Sequence, residues 1–308
     1  MRIVVMGSGG VGGYFGARLA AAGAEVTFVA RGAHLGAMRK DGLRVTSGAG
    51  DIHLTPMRAT NDPADVHDTV DYILVATKLY DVANAARQIT PIVGPSTSVI
   101  TLLNGVICHD MVAAVVNRDR VLPGVAYISS HIEGPGHIVH HGRGARIVFG
   151  ELSRQRTPRA ERFFEFGRKA GIDIDLSPDV VRALWTKFVF LVPMSGVSCL
   201  TRLTLDHVMG NAATAGLVRQ AADEIVAVAK AKGIAIDQPQ FQTTVRNTGA
   251  TPAVLKPSML VDLERGKPLE VEWFSGHVAE EGRRLGVATP VNAVIAAALQ
   301  PLARGALT

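Results

Sequence analysis

The chain has 308 residues, enough for two domains with substantial cores, and its 47% hydrophobic against 19% charged residues exclude a disordered protein. The formal net charge is +5, but the basic residues are dispersed and aromatic residues make up only 5%, which argues against a nucleic-acid-binding surface. With only two cysteines, Cys108 and Cys199, we expect no disulfide framework. No apolar stretch reaches the roughly 18 residues of a membrane span, so we expect a cytoplasmic protein without membrane contact.

A short β-branched strand, Ile3–Val5, leads directly into the pattern G-x-G-x-x-G at the N-terminus. A helix-length segment closed by Gly23 follows, and then a second strand at Glu25–Ala30, which completes a β-α-β unit of about 30 residues. In such a unit the glycines allow a tight turn, close approach of a pyrophosphate and close packing of the helix on the strand. The sequence therefore predicts a dinucleotide-binding loop made of Gly7, Ser8, Gly9, Gly10, Val11 and Gly12.

The end of the second strand indicates which dinucleotide binds. An NAD site places an acidic residue there for the ribose 2′-hydroxyl, whereas an NADP site needs a cation for the 2′-phosphate. This chain has Arg31 at that point, and Glu25 lies too early, at the start of the strand. Lys78 follows another buried-type strand and is a second candidate cation at the same edge of the sheet. We therefore predict NADP, as NADPH, rather than NAD.

Strand-like runs alternate with helical runs up to about residue 105, which predicts a doubly wound sheet of the Rossmann type. Shorter runs broken by glycine follow and are predicted as antiparallel additions to that sheet. The predicted strands after the first two are Arg44–Val45, Ile52–Leu54, Tyr72–Ala76, Ser98–Leu103, Gly124–Ile128, Gly136–His140, Ala145–Gly150 and Ile172–Leu176.

From Val180 onward the pattern is almost entirely helical. A helix is predicted over Ala215–Lys232, and Thr289 is predicted to cap a final helix that begins at Pro290. The fold class is therefore α/β, with an N-terminal Rossmann-type doubly wound sheet at residues 1–178 and an all-helical domain at residues 179–308. We expect the substrate to bind between the two domains.

Three motifs carry the polar residues expected at such a site. A strand ends in Asn104-Gly105 at the carboxyl edge of the sheet, and Trp185-Thr186-Lys187 opens the first long helix of the second domain. The third motif runs from Ser258-Met259 through Asp262 and Gly266 to Glu270.

With these motifs, the glycine loop, Arg31 and Thr77-Lys78 in order, the chain resembles the ketopantoate reductase family (2-dehydropantoate 2-reductases) along its whole length. The resemblance implies NADPH-dependent reduction of a 2-oxo acid to a 2-hydroxy acid. It makes Lys187 the general acid and places Asn104 between nicotinamide and substrate. It also implies that Ser258 holds the substrate carboxylate and that Glu270 lies near Lys187 and the cofactor.

The chemistry of these residue types agrees with that assignment. Hydride delivery to a ketone builds negative charge on its oxygen, and a lysine supplies both a cation and a transferable proton. A facing carboxylate such as Glu270 would keep that lysine charged in a cleft. Each residue also has an ordinary alternative: Lys187 a snorkelling helix lysine, Asn104 a turn former, Ser258 a helix cap and Glu270 a surface acid.

The helix that carries Lys187 departs from the family pattern, K-x-x-x-N-x-x-x-N. Leu191 and Ser195 stand where the family usually has two asparagines, and both are predicted to line the substrate site. A substrate less polar than ketopantoate is therefore an alternative, with Ser195 or Ser198 as another source of the missing polar contact.

Other classes of protein fit less well. Met194-Ser195-Gly196 lacks the G-x-S-x-G frame of a hydrolase, and the histidines between His131 and His141 have no completing ligand, so no metal is predicted. A non-catalytic NADP-binding sensor stays open, since fold alone does not prove activity. The expected partner is a small 2-oxo acid, and the expected assembly is a monomer or homodimer.

Overall fold

The structure is a computed structural model that describes residues 1–237 and 256–306. The chain divides into two compact units, Met1–Ala183 and Leu184–Thr308. The functional division predicted at residues 178 and 179 stays a prediction.

The first unit is built on a ten-stranded mixed sheet. Its strands are β1 (Arg2–Met6), β2 (Glu25–Val29), β3 (Leu43–Ser47), β4 (Ile52–Leu54), β5 (Arg58–Thr60), β6 (Tyr72–Val75), β7 (Ser98–Thr101), β8 (Val121–Gly134), β9 (His137–Phe149) and β10 (Asp173–Leu176). Its helices are α1 (Gly10–Ala21), α2 (Gly32–Asp41), α3 (Val82–Ile89), α4 (Cys108–Val116) and α5 (Pro158–Lys169).

Six strands lie in the order β5-β2-β1-β6-β7-β8, and every neighbouring pair among them is parallel. This is the order of a doubly wound dinucleotide-binding sheet, in which the chain moves out from β1 to one side and then to the other. Strands β1, β6 and β7 are buried almost throughout, as expected for central strands covered on both faces. The Rossmann-type sheet is confirmed.

The sheet continues beyond β8 through the long antiparallel pair β8 and β9, and then through β3 and β4. Strand β9 is continuous, although two short strands were predicted here from the glycines within it, because its residues are paired along both halves. Strand β3 pairs with the first half of β9, and β10 pairs with the second half. Strand β5 was missed because its three residues, Arg58, Ala59 and Thr60, include no large apolar side chain, unlike the equally short β4.

The second unit is helical in the part that the structure describes. Its helices are α6 (Val180–Thr201, which begins in the first unit), α7 (Leu205–Gly210), α8 (Ala212–Ala231), α9 (Ser258–Glu264), α10 (His277–Leu285) and α11 (Pro290–Leu299), with a π-helical segment at Glu272–Gly276. Thr289 and Pro290 occupy the predicted positions at the start of α11, but the Thr289 side chain makes no capping hydrogen bond. The buried Glu224 carboxylate on α8 takes that role, accepting from the backbone N–H groups of Val291 and Asn292 at 2.7 and 2.9 Å.

Helix α6 is longer and more apolar than the sequence was expected to provide. By length and composition alone it could cross a membrane, with a mean hydropathy of 1.5, although no such segment was expected. In the folded chain 67% of its most apolar window is buried, which is typical of a core helix. The apolar residues of α6 are therefore accounted for by packing.

Candidate functional site

The predicted dinucleotide loop lies in the first unit, at the carboxyl end of β1. Gly7 has a φ of +97°, and a Cβ on it would lie 2.8 Å from the Thr77 side chain. A Cβ on Gly12 would lie 2.2 Å from the Gly7 carbonyl oxygen, so α1 packs closer to the strand than any side chain permits. A Cβ on Gly9, in contrast, would meet no atom within 4 Å. The loop therefore has one glycine for the turn, one for packing and one that faces open space.

Helix α1 begins at Gly10 directly after this loop. The first N–H groups of a helix have no partner within it, and the helix dipole adds positive potential there. A phosphate group could approach these N–H groups over Gly9 without meeting a side chain. This cradle fits the pyrophosphate of a dinucleotide.

Hydrogen bonds hold the loop in place. The Ser8 hydroxyl donates to the Val29 carbonyl at the end of β2, at 3.0 Å, and the Ser8 N–H donates to the same oxygen at 3.1 Å. The Ser8 carbonyl lies 2.9 Å from Nε2 of His34 on α2, while Nδ1 of His34 accepts from the Gly136 N–H at 3.0 Å. Nε2 must therefore carry the proton and donate to Ser8. Burial lowers the pKa of His34, which favours this neutral form.

An open pocket of about 180 Å³ extends from this loop across the carboxyl ends of β1, β2 and β6. It brings together Gly7, Ser8, Gly9 and Arg31, all predicted from sequence. Its lining also includes Thr77, from the Thr77-Lys78 motif, and residues that were not predicted from sequence, namely His34, Asn61, Asp81, Asn84, Gln88 and Ile132. Asn61 and Asp81 follow β5 and β6, and His34 and Asn84 lie on the first turns of α2 and α3, a position that could have indicated them. Gln88, at the end of α3, and Ile132, within β8, carry no such signal.

Arg31 lies at the pocket rim as the residue that precedes α2. Its Nη2 donates to Oδ2 of Asp81 at 2.8 Å, and the two side chains are 73% and 34% exposed. The guanidinium predicted to meet a 2′-phosphate thus has a carboxylate partner in the same pocket, which the sequence did not reveal.

Lys78 and Asn104 lie at the same edge of the sheet but are not among the residues that line the described pocket. Lys78 is the third residue after β6, directly before a short 3-10 turn at Leu79–Asp81, and Asn104 is the third residue after β7. Both are partly buried. Gly105, next to Asn104, has a φ of +93°, which explains the glycine in that turn.

The remaining candidates lie in the second unit. Lys187 and Leu191 are both partly buried, one turn apart on α6, and Ser195 is a further turn along but only 1% exposed. Glu270 is 2% exposed and lies just before the π-helical segment. Ser258 is exposed, as the first residue of α9.

The segments that carry Lys187 and Glu270 pack together. The Phe188 ring lies edge-on to the Phe274 ring with centroids 6.3 Å apart, and edge-on to Trp185 at 5.6 Å. Phe274 has a non-helical backbone inside the π-helical segment, with φ −99° and ψ −106°. Lys187 and the buried carboxylate of Glu270 therefore lie on two segments of one unit that contact each other. This contact between segments could not be predicted from the sequence.

Three buried hydroxyl groups in the second unit make no hydrogen bond within the described part of the chain: Ser195, Ser198 and Ser275. Ser275 lies close to α6, since a Cβ on Gly196 would be 3.5 Å from its Oγ. A buried polar group without a partner is costly, so these three hydroxyls, on α6 or beside it, are able to form a hydrogen bond with a polar ligand group.

Comparisons with known proteins identify the family of this chain. Residues 3–154 match the family model "Ketopantoate reductase PanE/ApbA", and residues 179–303 match its C-terminal counterpart. The chain is 32% identical to a 2-dehydropantoate 2-reductase of Mesorhizobium japonicum, over 96% of both chains. It is 28% identical to an uncharacterized oxidoreductase, YkpB, of Bacillus subtilis, over 97% of this chain and 98% of that one.

A solved 2-dehydropantoate 2-reductase of Geobacter metallireducens is 31% identical and superimposes with a TM-score of 0.91, over 98% of this chain and 99% of that one. The family models and the relatives span both units. The chain belongs to the ketopantoate reductase family and is an oxidoreductase of the nicotinamide-dependent, 2-dehydropantoate 2-reductase type.

Proposed function

We propose that this protein uses NADPH to reduce a 2-oxo acid to a 2-hydroxy acid, with 2-dehydropantoate as the substrate and pantoate as the product. The observation that carries the proposal is the pocket at the carboxyl ends of β1, β2 and β6, which combines an open glycine backbone with the guanidinium of Arg31. Relatives named as 2-dehydropantoate 2-reductases over nearly the whole chain support the choice of substrate.

In this proposal the cofactor is held by the first unit. The backbone from Gly7 to Gly12, with Ser8, Gly10 and Val11 between the three motif glycines, binds the pyrophosphate. Arg31 binds the 2′-phosphate through charge-assisted hydrogen bonds. Lys78 adds positive charge at the same edge, and Asn104 orients the nicotinamide and the substrate. When bound, NADPH supplies the hydride for the carbonyl carbon.

The proton comes from the second unit. Lys187 donates it from Nζ to the carbonyl oxygen as negative charge develops there, and the lysine cation stabilises that charge beforehand. Glu270 favours the charged form of Lys187 and contacts the cofactor, and Ser258 donates a hydrogen bond to the substrate carboxylate. A buried carboxylate needs such a partner, because an isolated one is strongly disfavoured inside a protein.

Leu191 supports a second candidate, a 2-oxo acid with a plain aliphatic or aromatic tail. It is partly exposed one turn beyond Lys187, where an apolar side chain offers no hydrogen bond to a substrate hydroxyl. An apolar lining gains affinity from added methylene groups instead. The third alternative, a non-catalytic NADP-binding sensor, predicts binding without turnover.

The test is NADPH oxidation by the purified protein with a panel of 2-oxo acids. Ketopantoate is compared with 3-methyl-2-oxobutanoate, which lacks its hydroxymethyl group, and with phenylpyruvate. Turnover of ketopantoate above the others supports the proposed substrate, and turnover of the others at equal or higher kcat/KM supports the second candidate. NADPH binding with no turnover of any 2-oxo acid would contradict the proposed function. Cytoplasmic location and a monomeric or homodimeric state stay predictions.

A further inference from the structure

The ion pair between Arg31 and Asp81 lies inside the proposed cofactor pocket and has no assigned role. The two residues follow different strands of the sheet. Arg31 comes shortly after β2, and Asp81 ends the short turn after β6. Both line the pocket together with Gly9 and Val29. The carboxylate therefore lies where the adenosine end of a dinucleotide would bind if the proposed function is correct.

Asp81 is not a helix cap. It directly precedes α3, but its backbone is helical (φ −98°, ψ −11°) and continues from the 3-10 turn, whereas a capping aspartate has an extended backbone and accepts from a backbone N–H of the first turn. Its side chain makes no such capping bond and instead contacts Arg31 at 2.8 Å. Its orientation into the pocket is thus not explained by helix capping.

The chemistry of a carboxylate in this place is that of an NAD site. Such sites use an acidic residue at the end of β2 to accept from the ribose 2′-hydroxyl, and here β2 is followed by Ala30 and Arg31 instead. Asp81 brings a carboxylate to the same pocket from β6. The pocket thus contains a cation suited to a 2′-phosphate and an acceptor suited to a 2′-hydroxyl.

The two groups act in opposite directions on cofactor choice. A 2′-phosphate carries up to two negative charges, so a carboxylate a few ångströms away repels it, and this repulsion weakens with salt. The Arg31 to Asp81 pair is exposed, and exposed pairs contribute little stability, so a bound phosphate can replace the carboxylate on Arg31. The neutral 2′-hydroxyl of NADH meets no repulsion and can donate to Asp81.

We propose that Asp81 is a cofactor-specificity residue whose carboxylate accepts from the 2′-hydroxyl of NADH and opposes the 2′-phosphate of NADPH. The protein then binds both dinucleotides, and its affinity for NADPH exceeds its affinity for NADH by only a limited factor. The inference rests on the proposed function, because it presupposes that this pocket binds a nicotinamide dinucleotide.

The test is calorimetric titration with four ligands: NADPH, NADH, and the adenosine fragments 2′,5′-ADP and 5′-AMP, whose binding is independent of catalysis. Asp81→Asn removes the charge but keeps an acceptor, so we expect about fivefold tighter binding of NADPH and 2′,5′-ADP, with NADH and 5′-AMP changed less than about twofold. Asp81→Ala also removes the acceptor, so NADH and 5′-AMP should then bind about fivefold more weakly. The gain for 2′,5′-ADP should shrink as salt is raised.

Two variants serve as controls. Asp68→Asn makes the same charge change in an exposed acid that pairs with Arg58 outside the lining of the pocket, and it should leave all four affinities unchanged. Arg31→Ala should weaken NADPH and 2′,5′-ADP far more than NADH and 5′-AMP.

The outcomes separate the inference from the proposed function. If the unmutated protein binds neither dinucleotide, the proposed function fails and the inference fails with it. If it binds NADPH, but Asp81→Asn weakens NADPH or leaves the ratio of the two cofactors unchanged, only the inference is overturned. Weaker NADPH binding in that variant would mean that Asp81 serves to hold Arg31 in position.

Discussion

Replacing Gly9 by alanine should separate cofactor binding from stability. Gly9 has φ −75° and ψ −159°, a conformation that alanine adopts, and its Cβ would meet no protein atom within 4 Å. Alanine in place of glycine stabilises the folded state by about 0.4–1 kcal/mol, because it lowers the conformational entropy of the unfolded chain. Alanine is also a poorer helix cap than glycine, which destabilises the folded state by a similar amount. The free energy of unfolding should therefore change by less than about 1 kcal/mol.

The effect on cofactor affinity should be much larger. The new methyl group would project into the space over the start of α1, where the pyrophosphate is proposed to accept from backbone N–H groups. Loss of one hydrogen bond to a charged group costs about 1.5–3 kcal/mol, which corresponds to a roughly 10- to 150-fold higher Kd for NADPH. Fluorescence titration with NADPH and thermal unfolding without ligand measure the two effects separately.

Gly12→Ala is the matched comparison, because its Cβ would lie 2.2 Å from the Gly7 carbonyl oxygen and 2.9 Å from Val5. Overpacking of this kind costs about 1–3 kcal/mol, or roughly 3–9 °C in Tm at about 3 °C per kcal/mol. Gly9→Ala with normal NADPH affinity would refute the assigned phosphate cradle, and Gly12→Ala with an unchanged Tm would refute the packing argument.

Three further predictions concern catalysis, specificity and acid stability. Lys187→Ala should lower kcat about 100-fold or more while NADPH still binds. Lys230 is an exposed lysine on α8, and Lys230→Ala should change neither kcat nor NADPH binding. Near-normal turnover by Lys187→Ala would contradict the assignment of Lys187 as the general acid. Leu191→Asn should shift the ratio of kcat/KM toward ketopantoate and away from 3-methyl-2-oxobutanoate by about tenfold, since an added polar group favours the hydroxylated substrate; a ratio unchanged by the variant would contradict this. Ser195 is left unaltered in that test, because it is buried and asparagine there would overpack. The lowered folded pKa of His34 means that the native state binds fewer protons than the unfolded state, so its contribution to stability is complete above pH 6.5 and is lost as the pH falls from there through the folded pKa. His34→Gln should therefore lose less stability than the unmutated protein between pH 7.5 and 5.5 in urea unfolding, and an equally steep loss would be evidence against this role.

The local features of the fold were predictable from sequence, because they depend on neighbouring residues. The β1-loop-α1-β2 unit follows from a β-branched run, three glycines at fixed spacing and a terminal glycine, and the structure confirms it. Helix α5 begins in an equally local way, since Thr157 directly precedes Pro158 and its hydroxyl accepts from the Ala160 N–H. Features of this kind need no knowledge of the rest of the chain.

The features that sequence did not reveal depend on distant partners. The carboxylate that caps α11 comes from Glu224, 67 residues before Val291, and the partner of Arg31 lies 50 residues later at Asp81. The β9 strand is continuous because β3 and β10 pair with its two halves. Short-range patterns contain no information on such contacts, so the pocket lining could be predicted only for residues within motifs.

The central claim is that this protein transfers a hydride from NADPH to the carbonyl carbon of a 2-oxo acid. The most direct measurement uses NADPH deuterated at C4 of the nicotinamide, in turn at each face, with ketopantoate and with 3-methyl-2-oxobutanoate. Mass spectrometry should find one deuterium at C2 of the hydroxy acid from one face only, with the hydroxyl proton coming from solvent through Lys187. A product without deuterium from either face, or no reduced product with any 2-oxo acid, would contradict the account.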